Sequence, residues 1–117
     1  MASKVSTVEF LAEQIAAAGA VSARKMFGEY AIYCDGKLTA LVCGDQLFVK
    51  PTEAGRAHIG EVSEQPPYKG AKPHFLVSGD RWDNRDWLTA LIRVSAAELP
   101  LSDKSRRKRS ARHRGNP

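Results

Sequence analysis

Residues 25–50 read KMFGEYAIYCDGKLTALVCGDQLFVK. Apolar and polar residues alternate through this run, and Asp35-Gly36 and Gly44-Asp45 break it into three segments. Alternation with period two is the signature of strands, and Asp-Gly favours a type I′ turn whose twist matches the flanking strands. A two-residue turn at Asp35-Gly36 pairs Cys34 with Lys37, Ile32 with Thr39, Tyr30 with Leu41 and Gly28 with Cys43. A second turn at Gly44-Asp45 pairs Val42 with Leu47 and Leu41 with Phe48. The expectation is a three-stranded antiparallel meander. In that register Ala31, Tyr33, Leu38, Ala40, Val42, Leu47 and Val49 share one apolar face, read as core. Tyr30, Ile32, Cys34, Lys37, Thr39, Leu41, Cys43, Gln46, Phe48 and Lys50 share the other, which is mixed. A one-residue slip would exchange the faces of a strand.

Helical patterns flank the meander. STVEFLAEQIAAAG, residues 6–19, has Ser6 and Glu9 at capping-box spacing and Gly19 where a left-handed terminal residue is favoured. Pro51 ends the last strand because it has no N–H to donate. Thr52 is placed to cap a short helix in EAGRAHIG. SEQPPYKGAKP reads as loop or irregular strand, HFLVSG as a short strand, and DNRDWLTALIRVSAAEL as a last helix capped by Asp83 and stopped by Pro100. Trp87, Leu88, Leu91, Ile92 and Ser95 fall on one face of that helix.

With 117 residues, 43% of them apolar, the chain can bury one core. Its net charge of +5 is unevenly spread. Residues 103–117 hold seven cations (Lys104, Arg106, Arg107, Lys108, Arg109, Arg112 and Arg114) and one acid, whereas residues 1–102 carry −1. The expected organisation is a folded domain over 1–102 and a disordered basic tail over 103–117. Such a tail is expected to bind nucleic acid weakly and without sequence preference. No apolar run approaches the ~20 residues of a membrane span, and the first ten residues do not resemble a secretory signal. A cytoplasmic protein without membrane contact is expected, with both cysteines reduced.

Chemistry is sparse in the pattern. In the expected register Cys34 and Cys43 lie on the order of 20 Å apart, far beyond disulfide reach. His58, His74 and His113 have no ligand spacing among themselves or with the cysteines. Neither a nucleophile elbow nor a phosphate-binding loop is present. The expectation is a chain that is not an enzyme and takes no cofactor. What remains is the row Tyr30–Leu41–Phe48 flanked by Lys50, which is either core under a helix or a half-exposed patch for a regulator or a second copy of the chain. If it is a patch, Phe48→Ser weakens association and spares the fold. Arg24 and Lys25, just ahead of the sheet, could hold an anion or a carboxylate partner.

The run RKMFGEYAIYCDGKLTALVCGDQLFVK resembles the N-terminal domain of the TfoX/Sxy family of bacterial competence regulators. The likeness rests on Arg24, Met26, Phe27, Gly28, Tyr30, Ile32, Tyr33, Asp35, Gly36, Ala40, Leu41, Val42, Leu47 and Lys50. It continues more weakly through PTEAGRAHIG and covers roughly residues 8–98. The resemblance implies an α+β domain, an antiparallel sheet flanked by N-terminal, middle and C-terminal helices, similar to secretion-chaperone-like folds. It also implies a non-enzymatic role in transcriptional control through protein contacts, with no catalytic residues to carry over. Full-length members have a second, helical C-terminal domain, where this chain has only its basic segment after Leu101.

Overall fold

A computed structural model describes residues 3–26 and 29–101. In chain order the elements are α1 (Val5–Gln14), β1 (Val21–Met26), β2 (Glu29–Cys34), β3 (Lys37–Cys43), β4 (Gln46–Val49), α2 (Glu53–Ile59), β5 (Ser63–Gln65), β6 (His74–Val77) and α3 (Arg85–Glu98). The strands form one antiparallel sheet in the order β1-β2-β3-β4-β6-β5. The fold is α+β, as expected, with three helices beside a six-stranded sheet.

Both tight turns form as read. Asp35 and Gly36 have φ of 53° and 78°, and Gly44 and Asp45 have φ of 57° and 58°. The register beyond the first turn departs from the expectation. Cys34 faces Lys37 and Tyr33 faces Leu38, but Ile32 faces Ala40, Ala31 faces Leu41 and Tyr30 faces Val42. Thr39 is thus an extra residue, a β-bulge. Its carbonyl accepts from Lys50 N at 2.9 Å, and its hydroxyl donates to the Lys37 carbonyl at 2.9 Å.

One extra residue changes which side chains share a face. The helix-side core joins Val8 and Leu11 of α1, and Ile15 just after it, to Leu88, Leu91, Ile92 and Ala96 of α3. From the sheet it takes Ile32, Cys34, Ala40, Val42, Leu47, Val49, Phe75 and Val77. Ala40, Val42, Leu47 and Val49 are therefore where the pattern put them. Ala31, Tyr33 and Leu38 are not: they join Leu41, Cys43, Phe48 and Leu76 in a second apolar cluster on the opposite face. Among the described residues no helix contributes to that cluster.

Two further corrections concern ends of elements. α1 begins at Val5, ahead of Ser6, and its N-terminus is closed from a distance. The Asp45 carboxylate accepts from Lys4 N at 2.7 Å and from Thr7 Oγ1 at 3.0 Å, so the local Ser6–Glu9 box is not needed. Gly19 is nearly extended, with φ of 158°. Its bare Cα makes room for Asp35, whose carboxylate accepts from Ala20 N at 2.9 Å; a Cβ on Gly19 would lie 2.8 Å from that carboxylate. The cap of α3 is Asn84 rather than Asp83, accepting from Trp87 N at 3.1 Å. Thr52 caps α2 as expected, accepting from Gly55 N at 2.9 Å.

VSARKM, read as the approach to the sheet, is a strand in its own right, paired along its length with β2. Five of its six residues are exposed, so it carries no alternation to recognise.

The Asp45 bonds generate a pH test. The Lys4 backbone N–H, with help from the Thr7 hydroxyl, holds the Asp45 carboxyl below its usual range. A depressed folded value adds stability above the unfolded pKa of about 4, and that stability is lost as pH falls through the folded value. Asp45→Asn should therefore lower the melting temperature at pH 7, and the gap from wild type should close on acidification below pH ~4. Parallel thermal melts of the two chains from pH 7 to pH 2.5 check it; a gap independent of pH would mean the carboxylate's charge is not what holds the helix end.

Candidate functional site on the helix-free face of the sheet

The second cluster forms a row across the sheet: Ala31, Leu41, Phe48 and Leu76 are successive partners on β2, β3, β4 and β6. Leu41 and Phe48 keep only 6% and 3% of their surface although no helix covers them among the described residues. Beside Leu41 the face opens into a cavity of about 350 Å³ lined by Met26, Glu29, Tyr30, Leu41, Cys43 and Tyr68. Tyr68 comes from the segment between β5 and β6, so that segment reaches over the open face. Met26 and Tyr68 are well exposed, at 39% and 60%. The lining is mostly apolar and aromatic, and Glu29 is its one acidic side chain.

That carboxylate, Glu29, is tied in place. Oε1 accepts from Ser3 N at 2.9 Å and from Ser3 Oγ at 2.7 Å, and Oε2 accepts from Gly44 N at 3.1 Å. Glu29 thus joins the chain start, the edge of the cavity and the β3–β4 turn. Three donors fix its position.

Of the residues singled out in the sequence, Leu41 and Phe48 are cross-strand partners, as read. Tyr30 is not in their row: opposite Val42, it packs against the helix-side core while lining the cavity at the end of β2. Lys50 follows β4 and is half-buried, and Arg24 and Lys25 are exposed on β1. The tail cations Lys104, Arg106, Arg107, Lys108, Arg109, Arg112 and Arg114 lie outside the described residues. Sequence reasoning missed Met26, Glu29 and Tyr68 as neighbours. The available signal for Tyr68 was a lone aromatic in a Pro- and Gly-rich segment; for Met26 there was none, because β1 was not read as a strand.

Cys34 and Cys43 are free thiols, both buried. They point to opposite faces, Cys34 into the helix-side core and Cys43 to the cavity. Burial pushes both thiols up from their ordinary value; Asp35 adds to this at Cys34 and Glu29 at Cys43. Neither is an activated nucleophile. Among the described residues no group of three or more His, Cys, Asp and Glu could hold a metal ion, and no helix is long and apolar enough to cross a membrane.

Residues 13–99 match the TfoX N-terminal domain. The chain belongs to that family. It is also 36% identical over 100 residues to a protein of Spirochaeta aurantia described as an uncharacterized 12.7 kDa protein in the trpE 5′ region, with 86% of each chain covered. The matched residues contain β1 to β6 and the whole of α2 and α3, and therefore every residue of the cavity.

Two outcomes follow from this geometry. At pH 8 both thiols should react with iodoacetamide more slowly than free cysteine, and two equivalents should react once the chain is unfolded without reductant; a disulfide recovered by peptide mapping would contradict the opposite-face placement. Phe48→Ser, with its ring taken from a buried row, should cost about 3–5 kcal/mol of stability. Urea unfolding measures it, and a cost under about 1 kcal/mol would mean the face is more open than its burial indicates.

Proposed function

We propose that this chain is a non-enzymatic protein-binding module with a role in transcriptional regulation, and that it meets its partner through the helix-free face of the sheet. The observation that carries the reading is the apolar cavity at the helix-free sheet face, with Met26 and Tyr68 exposed at its mouth. Soluble domains rarely leave contiguous apolar surface of this kind without use. Aromatic and Met side chains are enriched where protein interfaces form. In this reading Leu41 is the floor, backed by its cross-strand partner Phe48, Tyr30 closes one end, and Arg24, Lys25 and Lys50 supply charge around the site. Membership of the TfoX N-terminal domain family supports the regulatory role.

A second reading rests on composition. Seven cations within residues 103–117 form a block suited to phosphate contacts. In this reading the basic segment raises the local concentration of the domain near DNA or RNA, and the sheet face contacts a protein there. Removing residues 103–117 would then weaken nucleic-acid binding and flatten its salt dependence.

The test separates floor from mouth. Met26→Ser with Tyr68→Ser alters exposed side chains and should leave the melting temperature within a few degrees of wild type. Cells overproducing the wild-type chain should show a defined set of altered transcripts, and the double variant should lose that response at equal protein level. An unchanged response with the folded double variant would remove the cavity mouth from the function. The absence of any response to wild type would remove the regulatory role.

A further inference from the structure

β1 is an edge of the sheet, and Ser22, Ala23, Arg24, Lys25 and Met26 are all exposed along it. The phase of its hydrogen bonds can be worked out. Asp35 N donates to the Ala20 carbonyl at 2.9 Å, and Ala20 N donates back to the Asp35 carboxylate at 2.9 Å. In an antiparallel pair the inward-bonding residues alternate. With Val21 opposite Cys34 and Met26 opposite Glu29, the peptide groups of Ser22, Arg24 and Met26 point at β2. Those of Val21, Ala23 and Lys25 point away from the sheet. The edge thus offers three residues, each with an N–H and a C=O, in the spacing an added antiparallel strand requires.

Charge selects what can use this edge. Arg24 and Lys25 are adjacent and so stand on opposite faces of β1, and neither forms an ion pair among the described residues. Two cations on an open edge discourage pairing with a second copy of the same strand. They favour a strand carrying acids opposite them. An apolar side chain opposite Met26 would lie on the cavity's side of the sheet, next to a residue that lines it.

Resting on the protein-binding reading above, we propose that β1 receives an extended acidic segment of a partner protein as a seventh strand. Consecutive acids would lie against Lys25 and Arg24, with an apolar residue before them against Met26.

A capped peptide, acetyl-Val-Glu-Glu-Val-Thr-Val-amide, runs antiparallel to β1 in that register and serves as the probe. Its counterpart with two Lys in place of the two Glu is the control. Residue-resolved amide hydrogen exchange of the full chain reads the result. The Glu peptide should slow exchange at Val21, Ala23 and Lys25 selectively, because Ser22 and Arg24 are already bonded to β2. The Lys peptide should not. Arg24→Glu with Lys25→Glu should invert the preference. Ala23→Pro, which removes an outward N–H while leaving the β1–β2 bonds, should abolish protection.

No binding, equal protection by both peptides, or protection confined to Leu41 and Cys43 would overturn the proposal. So would protection of the same amides by raised protein concentration alone, which would assign the edge to a second copy. A DNA duplex that perturbs Arg24 and Lys25 more strongly than the Glu peptide, without slowing the outward amides, would assign the charges to phosphates and also overturn it. If the edge fails while Met26→Ser with Tyr68→Ser still abolishes the transcript response, the protein-binding reading survives and the edge inference does not. The converse pattern would leave an acid-selective edge without the regulatory role.

Discussion

The placement of Thr39 as one residue too many in β3 governs the two-sided construction of the sheet. Without it, the Asp35-Gly36 turn would run its register unbroken and put Ala31 and Tyr33 on the same face as Ala40 and Val42. With it, Ile32 and Cys34 turn toward the helices beside Ala40 and Val42. Ala31 and Tyr33 then turn away, beside Leu38 and Leu41. Each face of the sheet acquires a continuous apolar patch instead of one clean face and one mixed face. Three helices cover the first patch. The second is left to the sheet's own side chains and to the segment carrying Tyr68. The bulge is secured by neighbours rather than by sequence preference: the Thr39 carbonyl is taken by Lys50 N, and the Lys37 amine at its other side reaches the Ala96 carbonyl at the end of α3, at 2.8 Å.

This explains how much of the fold was legible beforehand. Asp35-Gly36, Gly44-Asp45 and Thr52 encode their conformations locally, through positive φ or a short side chain next to a free N–H, and they read correctly. The bulge has no such local mark. Thr39 is an ordinary strand residue, and what makes it the extra one is the packing of both faces at once. The Asp45 cap of α1 was illegible for a similar reason. Its acceptor is supplied by a turn some forty residues away, and a satisfactory capping box lay nearer at hand. β1 failed differently: it is an edge with exposed side chains, so it has no buried set to alternate.

The site was legible in the same proportion. Leu41 and Phe48 were paired correctly because only a two-residue turn separates their strands. Tyr30 was misplaced because its register is counted from the Asp35-Gly36 turn, and the bulge intervenes on that pair of strands. Met26, Glu29 and Tyr68 reach the cavity through tertiary contacts that no periodicity reports. Arg24 and Lys25 were noticed for their charge, but their meaning depends on lying along an open edge.

The same geometry separates what holds the face together from what the face can offer. Burying side chains the size of Leu41 and Phe48 stabilises a fold by about 1.5–3 kcal/mol each. They are closed off, with 6% and 3% of their surface exposed, and so contribute chiefly to stability. Met26 and Tyr68 sit at the mouth with much of their surface in water, and so contribute less to holding the fold. Glu29 belongs to both groups, since one carboxylate anchors Ser3 and the β3–β4 turn while lining the cavity. A sheet with both faces apolar but only one covered by helices must close the other face by local means or against something else. Here the closure is partial: the row Ala31–Leu41–Phe48 is shut, whereas the cavity at its Met26 end is open. That open end adjoins the strand whose outward N–H and C=O groups find no partner among the described residues. Apolar surface and unpaired backbone therefore meet at one corner of the molecule, and an incoming chain at that corner could satisfy both without any rearrangement of the helices.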